Sequence, residues 1–248
     1  MESALAVAAL APGLALGSFL NVVAARVPLR RSIVRPPSAC MSCGHRIRWY
    51  DNLPLLSYAV LRGRCRDCRE RIPFVYPAVE LLTAVLIAGC VLAFGLTAKA
   101  AVAAFFCAVL VAISAIDLEH RIIPNRIVLP AFVVVLAANT ALDPSPAWIL
   151  GAVGASGFLF AAALVYPAGM GMGDVKLALL MGAALGKTVA VGLMLGMLAA
   201  MIPGLILIAR HGSKARKIGI PFGPFLALGS VVALFWGREI LDAYLSIL

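Results

Sequence analysis

Two aspartates and four cysteines are the side chains whose types and surroundings could do chemistry in this chain. Asp174 stands in Gly171-Met172-Gly173-Asp174-Val175-Lys176-Leu177, between the almost wholly apolar runs 158–166 and 177–185. A carboxylate at the edge of such a run is costly to hold beside hydrocarbon, which makes it a functional-site candidate. The two glycines before it let the backbone bend and approach another segment closely. Asp117 closes a second apolar run, 100–116. Two aspartates at one membrane depth, on different helices, can converge. Like charge then forbids both from ionising, and the pair shares a proton. One carboxylate can act as base on a water while the other acts as acid on a leaving group. That is aspartic-protease chemistry. The bland alternative is a pair of solvated juxtamembrane carboxylates beside Arg121 and Lys176.

Other residues offer less. Glu119 lies two positions from Asp117, so a continuing helix turns it to another face. His45, His120 and His211 sit in basic loops, and no GxSxG elbow is present, so serine-type chemistry has weak support.

The elements that must position these groups follow from hydropathy. The chain has 248 residues, 63% of them hydrophobic and 13% charged. Its mean hydropathy of +1.02 is far above that of a soluble globular domain. Apolar runs over 4–25, 77–95, 99–116, 125–142, 147–167, 174–188, 189–209 and 222–245 predict eight spans. The stretch 174–209 is too long for one span and is interrupted at Gly186-Lys187, so it divides into two. The fold class expected is an all-α polytopic membrane protein of about eight transmembrane helices with a cytosolic zinc-ribbon-like loop.

The net charge of +10 invites a nucleic-acid reading, but position explains it better. Eighteen of the 21 Lys and Arg residues fall in or beside alternate connections, eleven of them arginines within 26–76. The positive-inside rule then puts 26–76, 117–124, 168–174 and 210–221 in the cytosol and the N-terminus outside. Met1-Glu2-Ser3 lacks the basic start of a cleaved signal, so the first span is expected to stay attached as an anchor. The domains expected are a first helix over 1–25, a zinc-binding loop domain over 26–76 and a seven-helix membrane domain over 77–248.

That loop holds Cys40-Met41-Ser42-Cys43 and Cys65-Arg66-Asp67-Cys68. Two CxxC pairs with 21 residues between them match a zinc-ribbon arrangement with a slightly long gap. Four thiolates close a tetrahedral Zn²⁺ site with no open position, so Cys40, Cys43, Cys65 and Cys68 form a structural metal site. It would supply folding energy to a loop with little core. Disulfides are the competing reading, and a reducing cytosol argues against them. Cys90 and Cys107 lie inside apolar spans and read as ordinary buried residues.

Taken together, these residues resemble the bacterial type IV prepilin peptidase family (prepilin leader peptidase and N-methyltransferase), a GxGD-type membrane aspartic protease family. Gly17-Ser18-Phe19-Leu20-Asn21, the two CxxC pairs and residues 49–58 carry the resemblance in the first part of the chain. Leu61-Arg62-Gly63 and Tyr76-Pro77 with Glu80-Leu81-Leu82-Thr83 extend it. Ile116-Asp117-Leu118 with Ile123-Pro124 resembles the first catalytic segment, and the Gly171–Leu177 motif resembles the second. Ile220-Pro221-Phe222-Gly223-Pro224-Phe225 resembles the motif that opens the last span. Asn125 departs from the pattern, since many relatives carry an acid there.

The resemblance implies catalysis by Asp117 and Asp174 on prepilins or pseudopilins, which are substrates with a short basic leader, a glycine and a hydrophobic helix. Cleavage follows the glycine at the cytosolic face of the bacterial inner membrane. It also implies N-methylation of the new terminus by S-adenosylmethionine. No GxGxxG motif is present, and the residues that would hold this donor stay unassigned, with Asp51, Asn52 and Glu80 as candidates. Membrane lipids are an implied partner and nucleic acid is not. The alternatives are a peptidase without methylation, a secondary transporter, and a non-enzymatic assembly factor with a zinc-ribbon docking loop. A transporter site should sit near the bilayer midplane, not at its edge.

Overall fold

The computed structural model describes residues 2–166, 170–212 and 219–246. Lys214, Arg216 and Lys217, part of the basic cluster before the last span, lie outside the described residues.

The described chain is helical, with no β-strand beyond two isolated bridges. In order, the helices are α1 (Glu2–Arg26), α2 (Leu56–Val60), α3 (Val75–Phe94), α4 (Ala98–His120), α5 (Asn125–Leu142), α6 (Ala147–Val165), α7 (Met172–Leu185), α8 (Val189–His211) and α9 (Gly223–Leu245). All but α2 fall on the eight apolar runs. In hydrocarbon a helix satisfies its own backbone groups, so long apolar sequence leaves little other choice. The ends follow local chemistry. Arg121 at φ 54 ends α4, and Pro124 in extended backbone precedes α5. The Ser145 hydroxyl accepts the Ala147 N–H at 3.2 Å to start α6. Gly212 at φ 56 ends α8.

Among the described residues, seven helical stretches are long and apolar enough to cross a membrane. One of them, Met172–Arg210, is two helices in space, separated by a 3₁₀ turn at Gly186–Thr188. Gly186 sits at φ 56, where an L side chain is strained, and a Cβ there would lie 3.0 Å from the Trp148 ring. Fourteen residues give α7 a rise of ~21 Å, less than the ~30 Å hydrocarbon core. In the turn at its far end Gly186 and Thr188 are buried, and Lys187 between them is exposed.

The chain packs as two compact units, 1–115 and 116–248. In the first, α1 runs along α3. Gly17 permits this, since a Cβ there would come within 2.6 Å of the Glu80 Cα. Leu20, Val79, Ala108, Val111 and Ala112 form a buried cluster of α1, α3 and α4. In the second unit α7 touches α5, α6, α8 and α9. Beyond Lys176 it is apolar on every side, as such a position demands, and Leu177, Ala178, Leu180, Met181 and Ala183 are fully buried. Gly182 packs on the Gly151 backbone of α6, and Gly229 of α9 packs on Gly192 and Gly196 of α8. Small residues let these backbones close together where lipid offers no hydrophobic drive.

Candidate functional site

Asp117 occupies the last turn of α4 and is 5% exposed. Its backbone carbonyl accepts the Arg121 N–H at 2.9 Å, as the chain reverses before α5. Its side-chain Oδ2 accepts the Gly223 N–H at 2.9 Å, across 106 residues of sequence. Gly223 is the first residue of α9, where helix N–H groups have no partner inside the helix and the dipole is positive. A Cβ on Gly223 would lie 2.8 Å from the same oxygen.

Asp174 lies in the first turn of α7, where a helix N-terminus favours negative charge. Its N–H donates to the Gly171 carbonyl at 3.1 Å. Gly173 faces Ile123, and a Cβ there would meet the Ile123 Cβ at 3.0 Å, so the glycine lets α7 start against the α4–α5 turn. Asp117 and Asp174 line one cavity of about 260 Å³. Arg121, Asn125 and Lys176 also reach it, and the Lys176 Nζ donates to the Asn125 Oδ1 at 2.9 Å. Asn125 therefore holds the lysine through a neutral amide. Glu119 is exposed and lies off this cavity.

The loop cysteines also converge. The sulfurs of Cys40, Cys43, Cys65 and Cys68 all lie within 4.8 Å of one another, and those of Cys40 and Cys68 are 3.7 Å apart. Four sulfurs at ~2.3 Å from a tetrahedral ion would be about 3.8 Å apart, so the group can hold a metal. The two knuckles share a backbone pattern. The Cys40 N–H donates to His45 and the Gly44 N–H to Cys40, both at 2.9 Å. The Cys65 N–H donates to Glu70 at 2.8 Å and the Arg69 N–H to Cys65 at 3.1 Å. Gly44 and Arg69 hold the matching left-handed position, at φ 72 and 61.

Protons are unevenly spread over this cluster. The backbone N–H groups of Cys43 and Ser42 bring the Cys40 thiol down to about 6. The Glu70 N–H favours the Cys68 thiolate, but loss of solvent and the neighbouring sulfurs outweigh it and push Cys68 up to about 12. A bound cation would displace these protons.

The loop acids are tied into the structure. Asp51 accepts the Arg66 Nε on both oxygens, at 3.0 and 2.9 Å, and the guanidinium holds its carboxyl below the usual range. Glu80, 9% exposed, accepts the Leu55 N–H at 2.9 Å and so joins α3 to the loop. Asn21 of α1 donates to the Tyr76 carbonyl at 3.1 Å. Cys90 and Cys107 are fully buried, as expected, with sulfurs 3.9 Å apart.

The Gly223 N–H is the site group that residue-type reasoning missed. Its signal was the Ile220–Phe225 motif, read only as the opening of a span.

Comparison with known proteins adds independent information. A family model described as "Bacterial Peptidase A24 N-terminal domain" matches residues 12–94. One described as "Type IV leader peptidase family" matches residues 104–209. A prepilin leader peptidase/N-methyltransferase of Bacillus subtilis is 35% identical over 238 residues, covering 94% of this chain and 95% of its own. Proteins of the same name from Burkholderia pseudomallei and Pseudomonas aeruginosa are each 35% identical, covering 91% and 94% of this chain and 83% and 91% of their own. No solved structure matches.

Proposed function

The chain belongs to the type IV leader peptidase family, and we propose that it is a membrane aspartic endopeptidase that removes the leader of type IV prepilins or pseudopilins. Asp117 and Asp174 are the catalytic pair. The observation that carries this reading is that both carboxylates, from helices far apart in sequence, open onto one cavity beside Arg121 and Lys176. One carboxylate takes a proton from water, whose oxygen attacks the carbonyl carbon of the glycine. The other protonates the departing amide nitrogen, and the C–N bond breaks to leave a glycine carboxylate and a new amine. Placement at the inner membrane with the site at its cytosolic edge supplies the water.

The relatives' shared name carries the second activity, N-methylation of that amine. S-adenosylmethionine supplies the methyl group when bound. Asp51, Asn52 and Glu80 are the candidates for holding it; Asp51 is paired with Arg66 and Glu80 accepts the Leu55 N–H, and no donor-binding residue is assigned. The four cysteines hold a structural Zn²⁺, for which tetrahedral thiolate geometry is suited.

Reconstitution in lipid with a prepilin tests the peptidase. Asp117→Asn and Asp174→Asn should each lower the cleavage rate by roughly 10²–10⁴-fold, the range for losing a general acid or base. Full cleavage by either variant would sink the mechanism.

A further inference from the structure

We propose that Gly223 is a positioning residue for catalysis: its backbone N–H fixes the Asp117 carboxylate as the member of the pair that carries the negative charge, so that Asp117 is the base and Asp174 the acid. The inference rests on the peptidase reading and assigns the two roles that reading leaves open.

The pair is asymmetric in its surroundings. Asp117 Oδ2 takes an N–H from another helix at 2.9 Å, and that N–H is at the positive end of α9. Two further N–H groups near this end are already used, since Phe225 and Leu226 both donate to the Phe222 carbonyl, at 3.1 and 3.2 Å. Pro224 has no N–H to give. The Gly223 N–H is thus directed at Asp117. Asp174 has only a local backbone partner, Gly171, within its own turn at the start of α7, and among the described residues no bond from another helix holds its carboxylate. A hydrogen bond from N–H to carboxylate is stronger than one to a neutral acid, so the Gly223 N–H, brought in from another helix, favours the charged form of Asp117.

The sequence at 223 is constrained to match. A Cβ would stand 2.8 Å from the Asp117 Oδ2, 3.3 Å from its Cγ and 3.4 Å from its Cβ. Any side chain would push the carboxylate off the N–H. With one oxygen of Asp117 fixed, the other is free to take a proton from water in the cavity. Gly223 therefore acts on catalysis through Asp117.

Gly223→Ala is the first test, with purified full-length protein in lipid and a prepilin as substrate. Expected are a kcat lowered by about tenfold or more, a KM within about twofold, and an acid limb of the kcat–pH profile moved to higher pH by about one unit, the effect of losing one hydrogen bond to a charged group. Gly204→Ala, where the nearest foreign atom is Ile220 Cδ1 at 4.0 Å, is the control expected to match wild type. Should Gly223→Ala fail to fold, replacing the Gly223 residue by glycolic acid in cell-free synthesis removes the N–H and adds no atoms; the same kcat loss and pH shift are expected. An unchanged profile with either substitution overturns the assignment, as does an effect on KM alone. Failure of the wild-type protein to cleave any prepilin would instead strike the peptidase reading.

Discussion

At the scale of single residues, the site's chemistry depends on which polar groups face each other. Lys176 is held by the neutral Asn125 Oδ1 at 2.9 Å. Asn125→Asp would replace that hydrogen bond with an ion pair at an exposed position, a change worth about 0–1 kcal/mol. Cleavage should stay within about fivefold of wild type in a prepilin gel-shift assay. A larger loss would mean that Lys176 needs its uncompensated charge. The cysteines predict a different split. Cys40→Ser removes one of four thiolates, so the metal content of purified protein should fall from one ion per chain toward zero. Methylation should be lost with it, while leader cleavage, built from Asp117 and Asp174, persists. Equal loss of both activities would mean that the loop also supports the peptidase site.

At the scale of helices, the decisive feature is where glycines are spent. Gly151, Gly154 and Gly157 of α6 recur every three residues and could form a stripe for a substrate helix, but they are not equivalent. Gly151 is already engaged, because a Cβ there would lie 2.7 Å from the Gly186 carbonyl oxygen and 2.9 Å from that of Gly182. Gly154 and Gly157 have nothing within 4 Å and remain exposed. Only these two stay available for a substrate helix. Gly182→Ala should therefore destabilise the α6–α7 pair by about 1–3 kcal/mol, the usual cost of overpacking, visible as a lower Tm in detergent. Gly154→Leu and Gly157→Leu should leave Tm unchanged. If the stripe receives the pilin, they should raise KM by about tenfold, equivalent to ~1.4 kcal/mol of lost packing. Unchanged cleavage would rule the stripe out.

At the scale of the whole molecule, the positive-inside rule applied to the basic connections proposes an orientation that labelling can test. An impermeant thiol reagent should reach exposed Cys43 and Cys68 only from the cytosolic side of the membrane, once the metal is removed. Labelling from the outside would overturn the topology. With an ion held by the four cysteines, chelation should loosen residues 27–74 to proteolysis, because the loop has few buried residues of its own.

Much of this was legible in the residues alone. Span positions are set by local apolar length, which needs no knowledge of neighbours. The break in 174–209 was announced by Gly186-Lys187, and the convergence of four cysteines by two equal CxxC spacings. Asp117 and Asp174 stood out because an acid beside hydrocarbon is expensive wherever the chain later goes. Tertiary structure decided what lies between distant segments: that Asp117 and Asp174 share a cavity, that Gly223 donates to Asp117 across 106 residues, and that Gly151 is spent on α7 while Gly154 is not. A glycine reads the same in sequence whether its missing side chain makes room for a carboxylate, a neighbouring helix or nothing. Only the atoms that packing brings against it tell these apart.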